Sequence, residues 1–314
     1  MKNINRNLIR KSFCALGTYN TIQTFYPIKE QILDEAINTV LRIHNRMSAF
    51  NSESEIGKIN KFAGIKSINV SKNTFRVLRS AKKFSKITDG AFDVTICPLT
   101  ELWKIGRGEN TVPTSSEIEK ALSLSDYRGL ILNEENQSAF LKKAGQKIDL
   151  GGIAKGYAAD EVKRILIQGG VKNALINLGG NIIALGENFD HKFWTVGIQN
   201  PLAPTGEFLG TLSVSNKTIV TSGSNERFFI KDGIRYHHII DPRTGAPAQS
   251  GILSVTLVGN NSMEADALST AAFVLGLEKG IELIQKYGYE AIFALENQQL
   301  YVTNGLRDQF QVCS

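Results

Sequence analysis

Short runs of apolar and β-branched residues crowd the second half of the chain, at positions 174–178, 194–199, 208–214, 252–258, 290–295 and 300–303. Each has the length of a strand and is bounded by turn residues. Two further runs, 228–230 and 234–240, flank Lys231-Asp232-Gly233, a hairpin signal. Strands joined so closely must run antiparallel, because parallel neighbours need a longer crossover. Helical spacing dominates earlier in the chain. Positions 28–47 carry Ile32, Leu33, Ala36, Ile37, Val40, Leu41 and His44 on one stripe, and 71–86 repeat the pattern with Phe75, Leu78 and Ala81. Ser116 with Glu119 predicts a capping box, and 152–167 predict a helix ended by Gly169-Gly170. The expected class is therefore α+β: a largely antiparallel sheet with packed helices. One domain over residues 1–314 is expected, with Pro113 and polar runs marking a small insertion or subdomain near 110–145.

A chain of 314 residues, 42% of them hydrophobic, buries a substantial core, which excludes disorder. Lys and Arg exceed Asp and Glu by 36 to 30, but the cations are scattered among acids. That pattern implies mild attraction for anions, with no zinc finger, basic tail or aromatic-and-basic signature for nucleic acid. Cys14, Cys97 and Cys313 are widely separated and form neither a disulfide framework nor a thiolate metal spacing. Residues 1–11 are basic but are not followed by the apolar run of a signal peptide, no lipobox is visible, and no window is apolar enough to span a membrane. A cytoplasmic protein is the expectation.

Three constellations can carry chemistry. Asp149-Leu-Gly-Gly152-Ile-Ala-Lys155 places a carboxylate and two glycines just before a predicted helix, a setting that favours a diphosphate; taken alone, the segment reads first as an ordinary turn with Asp149 as N-cap. Gly152 leaves a carbonyl unshielded, and Lys155 adds a mobile cation. His237-His238-Ile-Ile-Asp241-Pro-Arg-Thr-Gly245 ends a strand in a rigid turn. There His238 is a candidate general base, against a packing alternative with one ring in and one out. Asp266 and Thr270 lie one helical turn apart and offer hard oxygens to a Mg²⁺-like cation. Against that stands a solvated Asp266 and a Thr270 bonded back to its own helix. Two weaker segments are Thr88-Asp-Gly-Ala91-Phe92-Asp93, a candidate ring pocket, and Thr221-Ser-Gly223, a candidate polar loop.

Taken in order, these segments resemble the FAD:protein FMN transferases, the ApbE-like flavin transferases. The resemblance rests on Leu16-Gly-Thr18, Phe50-Asn-Ser-Glu-Ser54 with Asn60, Thr88 to Asp93, Asp149 to Tyr157, Asn177-Leu-Gly-Gly180, Thr221-Ser-Gly223, His238 to Gly245, and Ala265-Asp266 through Thr270. It implies an ApbE-like, T-fold-related architecture and Mg²⁺-dependent transfer of FMN from FAD to a Thr or Ser hydroxyl of another protein, with release of AMP. By resemblance, the Gly152 carbonyl, Asp266 and Thr270 hold Mg²⁺. Leu16, Phe50, Ala91, Phe92, Asp93, Asp149 and Lys155 line the flavin nucleotide site, and His238 is the base. Leu16 stands where the family often has Met, and Phe50 where it often has Tyr, so a ring contact is kept as apolar packing and a phenolic hydrogen bond is lost. The implied acceptor carries Asp-Gly-x-Ser/Thr-Gly-Ala-Ser/Thr, a pattern this chain lacks. Two alternatives use the same residues in whole or in part: a metal-dependent FAD pyrophosphatase giving FMN and AMP, and a non-catalytic flavin-binding protein.

Overall fold

The computed structural model describes residues 8–25, 27–108 and 110–313. The chain opens with a hairpin, β1 (Leu8–Ala15) and β2 (Thr18–Phe25), followed by α1 (Glu30–Met47) and α2 (Glu55–Lys61). After β3 (Ile68–Asn69) comes α3 (Lys72–Ile87), opened by the Ser71 hydroxyl, which accepts the Thr74 N–H. Next are α4 (Cys97–Trp103) and α5 (Ser115–Leu122). A capping box does open α5, but it pairs Thr114 with Glu117 instead of Ser116 with Glu119. The helix starts earlier than the serine implied, because Thr114 already has extended backbone and an acid three residues on.

The 110–145 stretch goes on to supply β4 (Leu130–Asn133) and β5 (Ser138–Leu141), which with β3 form a three-stranded sheet. Leu130, Ala139 and Leu141 lie in the same core as α6 (Ala154–Gln168) and its neighbours. Then follow β6 (Ala174–Leu178), β7 (Asn181–Leu185), β8 (Trp194–Gln199), β9 (Phe208–Val214) and β10 (Lys217–Gly223). Thr221-Ser-Gly223, expected in a polar loop, is the end of β10, with Thr221 paired to Thr256 and Gly223 to Ser254. The ladder of a central strand outweighs the local turn preference of Ser and Gly.

The hairpin β11 (Phe228–Lys231) and β12 (Ile234–His237) turns at Asp232 and Gly233, both at positive φ (51° and 77°), the geometry of a tight hairpin. Its second strand ends at His237, short of the expected Ile240, which makes only an isolated bridge to Pro247. Beyond lie β13 (Ile252–Gly259), α7 (Ser262–Leu275), α8 (Leu277–Lys286), β14 (Glu290–Leu295), β15 (Leu300–Val302) and β16 (Phe310–Val312).

The main sheet has eight strands in the order β1-β2-β6-β7-β10-β13-β14-β15, all antiparallel, so the fold is α+β as expected. Its two faces are covered differently. Val220, Val255, Leu257, Ala291 and Phe293 pack under the helices, while Ile219, Val258 and Ile292 pack against the three-stranded sheet β16-β9-β8 through Trp194, Val196, Leu212 and Phe310. Alternation along the strands puts consecutive residues into different layers. Helix α7 is sandwiched in the middle and buried nearly all round, which is why, past Ser262 and Glu264 in its first turn, it reads as apolar on every side save for Asp266, Ser269 and Thr270. Polar groups at such a depth need partners, and those partners build the site.

Candidate functional site

Helices α6 and α7 meet at Gly156. A Cβ there would fall 2.2 Å from the Ser262 carbonyl oxygen, so only glycine permits the approach. Asp160, one turn on, accepts the N–H groups of Ser262 and Met263 at 3.0 and 2.9 Å, and Asn261 accepts that of Glu264 at 2.9 Å. The first turn of α7 is thereby satisfied by side chains from outside it. In return, α7 reaches back with Asp266, whose Oδ2 accepts the Gly156 N–H at 2.9 Å. Gly156 is the third residue of α6, and its N–H has no partner within that helix. The carboxylate of one helix thus caps the start of the other, just beyond Gly152.

Asp266 is only 3% exposed, and its second oxygen lies 3.9 Å from Lys155 Nζ. The alternative of a solvated carboxylate therefore fails, because the close approach of α6 encloses it. Thr270 does bond back to the Asp266 carbonyl at 3.2 Å, and it also approaches Ser222 Oγ at 3.4 Å. Its hydroxyl stands 3.3 Å from the point where a Gly152 Cβ would lie, with the Phe92 ring edge at 3.1 Å on the same side. Gly152, Asp266 and Thr270 thus border the same cavity, with Thr270 close to the Gly152 backbone. Among the described residues no cluster of three or more His, Cys, Asp or Glu is placed to hold a metal. A cation here would have one protein carboxylate, and its remaining ligands would come from neutral oxygens, water and an anionic substrate, a composition that suits Mg²⁺.

The turn before α6 differs from its expected role. Gly151 N–H goes to Asp149 Oδ1 at 2.8 Å, Ile153 and Ala154 N–H go to the Leu150 carbonyl, and Tyr157 N–H goes to that of Ile153. Most donors of a phosphate cradle are already taken. Local carbonyls win because the double glycine folds the turn tightly on itself. Asp149 does not cap the helix; Ile153 occupies the cap position without a side-chain bond. Burial raises the Asp149 carboxyl above its ordinary pKa, opposed by its Gly151 bond and by Arg107 and Arg227.

All eleven expected residues line one cavity of about 1060 Å³: Leu16, Phe50, Ala91, Phe92, Asp93, Asp149, Gly152, Lys155, His238, Asp266 and Thr270. That is space for a dinucleotide-sized ligand. Leu16 holds a left-handed conformation (φ 56°) in the β1–β2 turn and donates its N–H to His44 Nδ1 at 3.2 Å. His44, counted in the sequence as part of the α1 stripe, is therefore a wall residue. Asp93 spends both oxygens on the protein, Oδ1 on Thr95 N–H and hydroxyl and Oδ2 on Tyr127 N–H, and burial raises its pKa. Phe50 is 56% exposed at the rim, under the Arg107 guanidinium, whose carbon sits 3.8 Å from the ring centre. Arg107 and Arg227, both on the cavity wall, carried no motif that could have revealed them.

The His238 backbone N–H donates to the Arg227 carbonyl at 3.1 Å, and the ring Nδ1 is buried with no hydrogen-bond partner among the described residues. Burial, then the charge of Arg227, pushes its pKa down to about 4. The ring is neutral at pH 7 and can accept a proton. Its neighbour His237 is buried, with Nε2 donating to the Ala248 carbonyl at 2.9 Å and Nδ1 accepting the Ile239 N–H. His238 is half-buried and borders the cavity, so the two rings differ in exposure, as the packing alternative also held.

Known proteins resemble this chain in sequence and in fold. Residues 16–293 match the ApbE family. An FAD:protein FMN transferase of Klebsiella pneumoniae (strain 342) is 37% identical over 286 residues, covering 91% of this chain and 89% of that protein. One of Treponema pallidum (strain Nichols) is 34% identical, with coverages of 89% and 81%. Among solved structures, the ApbE protein of Thermotoga maritima superposes with a TM-score of 0.88 at 32% identity, covering 96% of this chain and 99% of that one. The flavin transferase ApbE of Vibrio cholerae gives 0.86 at 25% identity, with coverages of 97% and 99%.

Proposed function

This chain belongs to the ApbE family, and we propose that its cavity transfers the FMN moiety of FAD to a Thr or Ser hydroxyl of an acceptor protein, releasing AMP. The observation that carries the reading is the junction of α6 and α7, where the Gly152 backbone, a buried carboxylate and a hydroxyl share one wall with a lysine. That donor set fits a hard divalent cation, and we assign Gly152, Asp266 and Thr270 to Mg²⁺. Bound there, the cation supplies charge stabilisation to the diphosphate and its leaving phosphate. Lys155 contributes a second positive charge beside Asp266. Leu16, Phe50, Ala91, Phe92, Asp93 and Asp149 form the remaining nucleotide wall, with Phe50 and Arg107 offering a stacking surface for a planar ring. We read the described chain as one catalytic unit.

In the reaction, the acceptor oxygen forms a bond to the FMN phosphorus as the bond from that phosphorus to the AMP oxygen breaks. His238, whose neutral ring borders the cavity, takes the hydroxyl proton. An acceptor bearing Asp-Gly-x-Ser/Thr-Gly-Ala-Ser/Thr is the natural substrate to try. Mixed with FAD and Mg²⁺, it should gain covalent flavin fluorescence in step with AMP. Release of free FMN with no labelled protein would favour hydrolysis instead. No described helix is long and apolar enough to cross a membrane. We further propose a cytoplasmic site of action, which the three free thiols of Cys14, Cys97 and Cys313 support.

The depressed pKa of His238 makes a separate prediction. Followed by NMR, its ring should remain neutral from pH 7 down to about 4. Binding of FAD brings in anionic phosphates that offset Arg227 and Lys155, so the titration should move upward. Its folded value is depressed, so its contribution to stability is complete above the unfolded value near 6.5 and is lost as pH falls towards about 4. A free-protein titration near 6.5 would remove the enclosed-base assignment. His238→Gln should slow transfer while leaving FAD bound.

A further inference from the structure

Hairpin β11–β12 stands apart from the main sheet, and its two faces have different fates. Phe229 pairs with Tyr236, and Phe228 with His237, so alternate residues point to opposite sides. On the inner side Phe229 stacks on Tyr236 at 5.0 Å and Tyr236 on Trp103 at 5.7 Å, which fixes the hairpin to α4. On the outer side Phe228 and Ile230 remain 39% and 63% exposed. Arg235 lies across this face with its guanidinium carbon 4.2 Å from the Phe228 ring centre. Its Nη1 is buried, yet makes no hydrogen bond to the described residues. The side chain as a whole is half-buried and pairs with no carboxylate among the described residues, so a carboxylate arriving on the outer face can take its exposed edge as a charge-assisted partner.

The position of this face matters as much as its composition. Arg227, just before β11, and His238, just after β12, both line the cavity, and the His238 N–H to Arg227 carbonyl bond ties the two ends together. A polypeptide whose hydroxyl reaches His238 therefore has the hairpin as its immediate neighbour. We propose that the outer face of β11–β12 docks the acceptor protein, taking an apolar side chain against Phe228 and Ile230 and a carboxylate on Arg235. This rests on the transferase reading above. A rigid apolar pair beside an unsatisfied arginine is the make-up of an interface anchor.

The test varies Ile230→Glu and Arg235→Gln, neither of which borders the cavity. Labelled acceptor is measured against acceptor concentration at saturating FAD and Mg²⁺, and FAD affinity is read by flavin fluorescence. Each substitution should raise the acceptor KM about tenfold, the loss of one interface anchor, while kcat and FAD affinity stay at wild-type values. An unchanged acceptor KM overturns the proposal. So does a parallel loss of FAD binding, which would make the hairpin part of the cavity scaffold. Sedimentation of the wild type as a dimer that Ile230→Glu dissociates would assign the face to a second copy. Should the wild type release AMP and FMN without labelling any acceptor, the transferase reading falls and the docking proposal falls with it.

Discussion

Replacing Asp266 by alanine is expected to cut Mg²⁺-dependent AMP release by about three orders of magnitude, the worth of several kcal/mol of charge stabilisation, while the protein stays folded. Asp266 is the only carboxylate among the three assigned donors. Its loss has a second consequence at Gly156. Once Oδ2 is gone, the Gly156 N–H, one of the first donors of α6, loses its cap. The substitution thus removes one oxygen donor and loosens the helix start beside another. Asp266→Asn separates the two effects, since an amide oxygen can still accept from Gly156 but carries no charge. It should bind the cation more weakly than the wild type yet retain more activity than alanine. The shift in melting temperature on adding Mg²⁺ gives a readout independent of turnover. A variant Asp266→Ala that keeps both the shift and the turnover would refute the cation assignment.

The same junction shows what could be read from the sequence and what could not. Spacing alone put Asp266 and Thr270 on one helix face, because a helix fixes positions four apart. It could not say which face was buried, because α7 is apolar nearly all round and carries no polar stripe to orient it. The strands and the β11–β12 turn were legible, since hydrophobic runs and Asp-Gly turns are local signals. Thr221-Ser-Gly223 was misread because its strand character comes from β13, a partner distant in sequence. The turn before α6 was misread for a related reason: composition showed available N–H groups but not the carbonyls and carboxylate that take them. Arg107 and Arg227 were invisible. Each reaches the cavity by tertiary placement, Arg107 on a loop after α4 and Arg227 at the root of a hairpin.

Gly156→Ala should have the largest effect on stability of any single methyl added to this protein's core junction. The new Cβ would lie 2.2 Å from the Ser262 carbonyl oxygen, 2.6 Å from its carbon and 2.7 Å from the Met263 Cα. All three obstacles are backbone, so no rotamer change relieves the contact. Helices α6 and α7 must separate, yet Asp160 holds the first turn of α7 by two bonds from α6. Alanine's better helix propensity offsets about 1 kcal/mol, against an overpacking cost of about 3 kcal/mol or more for a fixed backbone contact. For a chain of this size the net loss should lower the melting temperature by roughly 5 °C. The displacement also pulls the Gly156 N–H away from Asp266, so Mg²⁺ affinity should fall although no donor atom has been changed. Gly151→Ala is the control, because its Cβ would meet only the Asp149 side chain, at 3.1 Å. Equal melting temperatures and equal Mg²⁺ response for Gly156→Ala and the wild type would show that the helices tolerate separation, and that the carboxylate is held in place by something other than their closest approach.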